Sequence, residues 1–247
     1  LVVVTYGHIE EPVVEQITAR FASEVTSLYL IETTALEAYG TNFNQRLLAG
    51  VPTIVETLRG LQFDISPLSF FQTNTSGAEV LFSKVEELIN IDKDTVVVDV
   101  CCGTGVIGLS LAQKAKMVVG IDIEEQSITN AIKNAERNNI TNAEFICSPA
   151  EKSLKDVLEK YAGSKIVCIV DPPRGGLMKK ALCALRDCAD LHTLVYVCCN
   201  PASLVDNAQR VLMSEGMHSP PYRPVSWVGV DMVPHTDRLE LVMLMER

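Results

Sequence analysis

The feature that most constrains the fold is an alternation of short apolar segments with longer amphipathic segments, which begins at about residue 67. Apolar runs that lack a polar/apolar alternation are typical of parallel strands covered on both faces. Candidate strands cover residues 95–100, 117–121, 143–146, 165–170, 193–197, 224–228 and 239–245. Amphipathic helices are expected between them, most clearly at 75–89 and 124–139. The pattern predicts a doubly wound α/β domain, in which ligands bind at the carboxyl ends of the strands.

Residues 1–66 follow a different pattern, which predicts a small mixed α/β lobe before an α/β domain of residues 67–247. The predicted elements of the lobe are strands at 1–5, 27–32, 53–58 and 61–65 and a helix within 13–25. The last two strands would form a hairpin that turns at Gly60, because glycine readily adopts the positive φ of a tight turn. The lobe has no chemical signature of its own.

Charge and cysteine content restrict the partners of the chain. Its formal net charge is −10, whereas a self-sufficient nucleic-acid-binding domain is usually basic. If the chain acts on RNA, we therefore expect additional upstream sequence to supply much of the binding. The 8 cysteines show no C-x-x-C pair and no histidine at ligand spacing, so we expect reduced thiols and no metal.

The ends and the hydropathy of the chain bear on its location. No window approaches the roughly 20 apolar residues of a membrane helix, and the first residues lack the layout of a signal peptide. We expect no membrane association and a cytoplasmic or nuclear location. The chain begins at Leu1 rather than at Met, so we interpret it as a piece of a longer protein, and a mitochondrial location stays open.

The strongest motif is a strand that runs into a glycine-rich turn and then a helix, Asp99-Val100-Cys101-Cys102-Gly103-Thr104-Gly105-Val106-Ile107-Gly108. Gly103 and Gly105 allow a tight turn and a close approach of backbone to ligand, and Gly108 allows the helix to pack against the sheet. Asp122 ends the next strand, where a carboxylate can accept hydrogen bonds from both hydroxyls of an adenosine ribose. These features predict a nucleotide-like cofactor.

Dinucleotides and S-adenosylmethionine both fit this strand, turn and helix. A dinucleotide places its pyrophosphate at the helix N-terminus, and the carboxylate of Asp99 just before the turn would repel it. S-adenosylmethionine carries no phosphate, and the placement of Asp99 resembles that in class I methyltransferases, where an acidic strand end helps to hold the amino-acid portion of this cofactor. We therefore favour S-adenosylmethionine over a dinucleotide.

Two further strand ends carry reactive or charged residues. The fourth strand ends at Asp171-Pro172-Pro173-Arg174-Gly175-Gly176, where two prolines stiffen a loop that can aim polar groups at a planar base. Asp-Pro-Pro also occurs in adenine and cytosine amino-methyltransferases, but an aromatic residue usually follows there, so Arg174 counts against that class. The fifth strand ends at Cys199, followed by Asn200. By position alone, Cys199 is equally compatible with a functional thiol and with a small buried side chain.

Taken together, the motifs resemble those of the RNA uracil-5 methyltransferase family, which forms 5-methyluridine, and most closely those of its eukaryotic tRNA branch. The matching segments are Ser69-Phe70-Phe71-Gln72-Thr73-Asn74, the turn from Asp99 to Gly108, Asp122, Asp171 to Gly176, Cys198 to Pro201 and Val233-Pro234-His235-Thr236-Asp237-Arg238-Leu239-Glu240. They occur in the family's order over residues 67–247. The resemblance implies a Rossmann-like class I S-adenosylmethionine-dependent methyltransferase domain, preceded by the family's central lobe.

The resemblance also implies roles for individual residues. It implies that the cofactor is bound by Gln72, Asp99, Gly103, Gly105, Asp122 and Asp171. It implies that the substrate is bound by Phe71, Arg174, Asn200 and His235. Cys199 would attack carbon 6 of uracil, and Glu240 would remove the proton from carbon 5. Arg174 is our candidate for stabilising the thiolate or the enolate oxygen. The implied substrate is a uridine in RNA, with tRNA favoured over rRNA.

Two departures from the family pattern and two alternatives accompany this interpretation. Cys198 replaces a common Ser, and Arg238-Leu239 replace a common His-Val before Glu240. A methyltransferase acting on a nitrogen or a small molecule would not need Cys199. An RNA-binding or chaperone module with little turnover would keep the fold without needing either reactive residue.

Overall fold

The computed structural model describes residues 1–34, 43–67, 69–214, 219–236 and 238–247. It divides into two compact units. The first comprises Leu1–Glu56 and Asp64–Phe70, and the second comprises Thr57–Phe63 and Phe71–Arg247. This division assigns the middle of the predicted hairpin to the second unit, whereas the sequence pattern suggested a single boundary at residue 66.

The first unit contains the elements β1 (Val2–Tyr6), α1 (Glu11–Phe21), β2 (Ser27–Thr33) and β3 (Phe43–Gly50). The three strands form a sheet in the order β1-β2-β3, in which β2 is parallel to β1 and antiparallel to β3. The sequence pattern did not predict β3.

The predicted hairpin is present as β4 (Ile54–Leu58) and β5 (Leu61–Ile65). Its two-residue turn has φ values of 52° at Arg59 and 77° at Gly60. Positive φ at both central residues is the geometry that matches the twist of a tight hairpin. The prediction of a turn at Gly60 is therefore confirmed, and Arg59 adopts a backbone conformation that is uncommon for a residue with a side chain.

The second unit alternates strands and helices as the sequence predicts. Its elements are α2 (Thr75–Leu88), β6 (Thr95–Val100), α3 (Val106–Leu111), β7 (Met117–Asp122), α4 (Glu125–Arg137), β8 (Ala143–Cys147), α5 (Ala150–Lys160), β9 (Lys165–Val170), α6 (Lys179–Asp187), β10 (Leu191–Cys198), α7 (Pro201–Asn207), a π-helical turn (Ala208–Leu212), β11 (Arg223–Val230) and β12 (Glu240–Glu246). The seven predicted strands are all present, and their ends lie within two residues of the predicted ends.

The seven strands form one sheet in the order β11-β12-β10-β9-β6-β7-β8. Strands β6 to β10 are mutually parallel, whereas β12 runs antiparallel between β10 and β11. Strand β6 is buried along its whole length, with Val96, Val98 and Val100 in one hydrophobic core and Val97 in the other. Helices therefore cover both faces, and the predicted doubly wound α/β fold is confirmed.

Within the described ranges, no helix combines the length and the apolar character needed to cross a membrane.

Candidate active site

The carboxyl ends of the parallel strands meet at one edge of the sheet. Val100 of β6 pairs with Ile121 of β7 and with Val170 of β9, and Val170 also pairs with Tyr196 of β10. The residues that follow these positions therefore leave the sheet side by side. This register brings the glycine turn, Asp122, Asp171 and the end of β10 to a common edge.

Hydrogen bonds to Asp122 hold the glycine turn. The backbone N–H of Gly103 donates to Asp122 Oδ2 at 2.8 Å, and the N–H of Glu124 donates to Oδ1 at 2.9 Å. A carboxylate has about four acceptor positions, so Asp122 retains capacity for two further donors. A Cβ on Gly103, where φ is 54°, would meet nothing within 4 Å. The turn thus presents backbone and a carboxylate to open space.

The other two glycines of the motif are needed for packing. A Cβ on Gly105, where φ is 81°, would lie 3.1 Å from the ring of Phe145. A Cβ on Gly108 would lie 2.7 Å from Val118 Cγ1. Helix α3 can therefore approach β7 only because position 108 lacks a side chain, as the sequence analysis expected.

Asp99 is buried beneath the turn and supports helix α3. Its Oδ2 accepts a hydrogen bond from the N–H of Gly108 at 2.9 Å, and its Oδ1 is buried with no partner among the described residues. Burial raises the pKa of Asp99 to about 7, the hydrogen bond from Gly108 lowers it, and the charge of Asp122 raises it further. An unsatisfied buried acceptor next to an open turn suits a ligand with a cationic or hydrogen-bonding group.

Asn134 is a residue that the sequence analysis missed. It lies on the buried face of α4, and its Nδ2 donates to the backbone oxygen of Thr104 at 3.1 Å. This bond fixes the centre of the glycine turn from the neighbouring helix. The signal in the sequence is an asparagine on the same helix face as Ile128, Ala131 and Ala135, since a buried amide must find hydrogen-bond partners.

Cys199 and Glu240 lie at the ends of two neighbouring antiparallel strands. Cys198, the last residue of β10, pairs with Leu241 of β12. Cys199 directly follows β10, and Glu240 is the first residue of β12. Cys199 is exposed, and Glu240 is half-buried. The two residues therefore belong to one end of the β10–β12 pair, and their catalytic roles stay predictions.

Burial perturbs the carboxyl groups at this edge. The pKa of Glu240 is raised by desolvation. The pKa of Asp171 is raised to about 7, mainly by burial, with smaller contributions from the charges of Glu240 and Asp99. Carboxyl groups whose pKa approaches neutrality can exchange protons with a substrate at physiological pH.

The segment of residues 171–177, named here the proline loop, follows β9. Its Arg174 side chain is exposed, and the backbone oxygen of Arg174 accepts a hydrogen bond from Asn200 Nδ2 at 3.0 Å. Asn200 also caps α7, because its Oδ1 accepts from the N–H of Ala202 at 3.2 Å. The observed contacts of Asn200 therefore join backbone segments, and its predicted contact with substrate stays a prediction.

Three other predicted residues lie elsewhere in the second unit. Phe71 packs against the core, with its ring centroid 6.1 Å from that of Phe63. Gln72 is half-buried just before α2, and His235 is exposed in a turn with a φ of 69°. Within the described residues, these three side chains form no hydrogen bond with Cys199 or Asp171. Asp237 lies outside the described residues. Their predicted roles stay predictions.

The cysteines show no disulfide and no metal cluster. All eight lie in the described ranges and are free. Over those ranges, no group of three or more His, Cys, Asp or Glu residues could hold a metal ion. Cys101 and Cys102 lie in the glycine turn, and burial raises the pKa of Cys101 to about 12. Of the two cysteines at the end of β10, Cys198 is buried, and only Cys199 presents its thiol to solvent.

A doubly wound sheet with a glycine turn, an acidic residue at the end of β7 and polar strand ends is typical of a methyltransferase domain. Residues 91–218, just over half of the chain, match the family model described as "Methyltransferase domain". The chain therefore belongs to this family.

The similar curated proteins have a more specific description. The chain is 40% identical over 233 residues to "tRNA (uracil-5-)-methyltransferase homolog A" of Mus musculus, covering 92% of the chain and 37% of that protein. It is 39% identical to "tRNA (uracil-5-)-methyltransferase homolog B" of Pongo abelii, covering 97% of the chain and 51% of that protein. The resemblance inferred from the motifs is thus confirmed, and the chain spans between about a third and about half of the length of these relatives.

A solved structure extends the similarity to three dimensions. The tRNA (uracil-54, C5)-methyltransferase of Pyrococcus abyssi, in complex with S-adenosyl-L-homocysteine, superposes with a TM-score of 0.74 at 31% identity. The match covers 99% of the present chain and 55% of that protein.

Proposed function

We propose that the chain transfers a methyl group from S-adenosylmethionine to carbon 5 of a uridine in tRNA. The observation that carries the proposal is the position of an exposed cysteine, Cys199, directly after β10 and of a half-buried carboxyl, Glu240, at the start of the neighbouring strand β12. A methyltransferase for a nitrogen or for a small molecule has no need of this pair. The names of the similar proteins point to the same reaction.

The residues of the turn fit the cofactor. Asp122 has acceptor capacity for ribose hydroxyls, and the buried Asp99 Oδ1 has no partner among the described residues. Gly103 leaves open the space that a Cβ would fill. When bound, S-adenosylmethionine supplies an electrophilic methyl group. We assign its binding to these three residues, with Gly105 shaping the turn and with Gln72 and Asp171 lining the site.

Cys199 activates the uracil ring. Carbon 5 of uracil is a poor nucleophile, so the thiolate of Cys199 forms a bond from Sγ to carbon 6. The electron pair of the 5,6 double bond moves to give an enolate on the carbon 4 oxygen, which Arg174 of the proline loop can stabilise. The enolate electron pair then forms the bond from carbon 5 to the methyl group, whose bond to the cofactor's sulfur would break, and the carbon 4 carbonyl is restored. Carbon 5 retains its original hydrogen.

Glu240 completes the reaction by removing that hydrogen as a proton. The electron pair of the carbon–hydrogen bond restores the 5,6 double bond, and the bond from carbon 6 to Sγ breaks to release the Cys199 thiolate. The raised pKa of Glu240 increases its strength as a base. Because the two residues come from opposed strands, one group can act on carbon 6 while the other acts on the adjacent carbon.

Binding of tRNA is proposed to need basic sequence in addition to this chain. A net charge of −10 disfavours a polyanion, and the similar curated proteins are about two to three times longer. We assign to the chain the chemistry and the recognition of the uridine, with Arg174, Asn200, His235 and Phe71 as the candidate contacts.

The test uses tRNA that contains 5-fluorouridine. Because a fluorine at carbon 5 cannot be removed by a base as hydrogen can, the covalent adduct between Cys199 and carbon 6 accumulates. We expect the wild-type protein with S-adenosylmethionine to form a covalent complex that resists denaturation, and Cys199→Ala to form none. Cys147→Ala is the matched control, since Cys147 is also exposed at a strand end. Denaturing gel electrophoresis and mass spectrometry detect the complex.

Methylation of unmodified tRNA provides the second measurement. Loss of 5-methyluridine formation by Cys199→Ala and by Glu240→Gln, with retention by Cys147→Ala, supports the proposal. Methyl transfer by Cys199→Ala at the wild-type rate would exclude the covalent mechanism. Binding of S-adenosylhomocysteine and tRNA by the wild-type protein without any transfer or adduct would favour a binding module.

A further inference from the structure

A buried amide on α7 contacts the proline loop from the side opposite the solvent. Asn207 is 6% exposed. Its Oδ1 accepts two hydrogen bonds, one from the N–H of Leu177 at 2.9 Å and one from the hydroxyl of Tyr196 at 2.8 Å. The first donor belongs to the end of the proline loop, and the second belongs to a fully buried side chain of β10. One oxygen therefore joins the loop, the helix and the strand that leads to Cys199.

The loop is shaped to receive this amide. Gly176 has a φ of 75°, and its N–H donates to the oxygen of Pro173 at 2.8 Å in a tight turn. A Cβ on Gly176 would lie 2.6 Å from Asn207 Oδ1. The glycine thus allows the loop backbone to approach Asn207 as well as to turn.

The same helix holds the loop at a second point. Asn200 caps the start of α7 and donates to the oxygen of Arg174, and Asn207 is the last residue of α7. Asn200, whose backbone is extended, lies at the N-cap of α7, and Asn207 lies at the other end of the helix, ~10 Å away along its axis. The two asparagines therefore fix two points of the proline loop that are three residues apart. Cys199 immediately precedes this helix cap.

On the basis of the proposed function, we propose that Asn207 is a positioning residue for the reaction. It fixes the proline loop, which carries Asp171 and Arg174, relative to the thiol of Cys199 through the helix that begins beside that thiol. Asn207 itself touches no reacting atom. Its loss should leave the cofactor site intact. In the described part of the chain, the glycine turn and Asp122 share no hydrogen bond with Asn207, and Asp171 is held to the sheet by its own N–H, which donates to the oxygen of Val100 at 3.1 Å.

The experiment compares four substitutions at and around this amide. Asn207→Leu keeps the approximate volume and removes the acceptor. Asn207→Asp keeps an acceptor for both donors. Tyr196→Phe removes one donor and leaves the bond to Leu177. Gly176→Ala disturbs the same contact, because the added Cβ on the proline loop would lie 2.6 Å from Asn207 Oδ1. If Asn207→Leu does not fold, Gly176→Ala is used in its place.

We expect Asn207→Leu and Gly176→Ala to lower kcat for tRNA methylation by about 10-fold to 100-fold, because small misplacements of reacting groups have effects of this size. The dissociation constant of S-adenosylhomocysteine should stay within about two-fold of the wild type. Asn207→Asp should restore kcat to within about three-fold, and Tyr196→Phe should remain similarly active. Rates are measured at a temperature at which circular dichroism shows each variant to be folded.

Hydrogen exchange at the Leu177 amide supplies a measurement that does not depend on the reaction. Exchange should be at least about 10-fold faster in Asn207→Leu and close to the wild-type rate in Asn207→Asp. An unchanged kcat in folded Asn207→Leu would overturn the positioning role. If the wild-type protein forms no 5-methyluridine, the proposed function fails instead, and unchanged Leu177 exchange in Asn207→Leu would then overturn the contact with the loop as well.

Discussion

At the scale of single residues, buried carboxyl groups make the stability of the molecule depend on pH. The pKa of Asp99 rises from 3.8 to about 7, mainly because of burial. A group with a raised pKa binds its proton more tightly in the folded state than in the unfolded state. The protonated carboxyl of Asp99 therefore makes its full contribution to the free energy of unfolding below pH 4, and this contribution is lost as the pH rises through about 7. Each unit of the pKa shift corresponds to ~1.4 kcal/mol.

Asp99→Asn should remove this contribution while keeping an acceptor for the N–H of Gly108. Relative to the wild type, we expect the variant without cofactor to gain free energy of unfolding as the pH rises from 4 to 8. Urea denaturation across that range measures the difference. Asp156→Asn is the control, because Asp156 is exposed on α5, and its difference from the wild type should stay near zero. A difference for Asp99→Asn that does not change with pH would contradict the assignment.

At the scale of secondary structure, the contact of α3 with β7 depends on Gly108. Alanine usually stabilises a helix relative to glycine by ~1 kcal/mol, but here its Cβ would lie 2.7 Å from Val118 Cγ1. We expect Gly108→Ala to lower the free energy of unfolding by about 1–3 kcal/mol. Gly175→Ala is the matched control, since a Cβ there meets nothing within 4 Å. Chemical denaturation measures both, and equal stability of the two variants would refute the packing role.

The amino-acid sequence predicted the secondary-structure elements more accurately than the hydrogen bonds between distant residues. The strands at 95–100 and 165–170 were predicted to the residue, because a strand buried on both faces has a local and unambiguous apolar pattern. Strand β3 was missed, since its residues show no regular pattern. The hydrogen bond from the N–H of Leu177 to Asn207 Oδ1 joins residues that are 30 positions apart in the chain. Only the folded arrangement of strands and helices brings these two residues together. The expected role of Asp99 in holding the cofactor stays a prediction. Its hydrogen bond from the N–H of Gly108 was not predicted, because a local motif does not show which backbone donors surround a carboxyl.

At the scale of the whole molecule, the acidic net charge predicts that the proposed reaction depends on additional sequence for RNA binding. We expect the chain to bind S-adenosylhomocysteine but to methylate tRNA poorly at about 150 mM salt, because a net charge of −10 opposes a polyanion. Fusion to a basic RNA-binding segment should lower the KM for tRNA at least about 10-fold and should steepen its dependence on salt. Fusion to an uncharged segment of equal length is the control. Equal turnover by the chain and by the basic fusion at this salt concentration would contradict the expectation.

The antiparallel strand β12, which carries Glu240, is the last element of the chain and follows the other proposed site residues in the sequence. The glycine turn, Asp122, Asp171 and Cys199 all precede it in the chain, and β12 inserts between β10 and β11 only after β11 exists. During synthesis on the ribosome, the proposed proton acceptor is therefore the last of these features to emerge. A nascent chain could acquire a methyl-donor pocket and an accessible sulfur before it has the means to release a finished product.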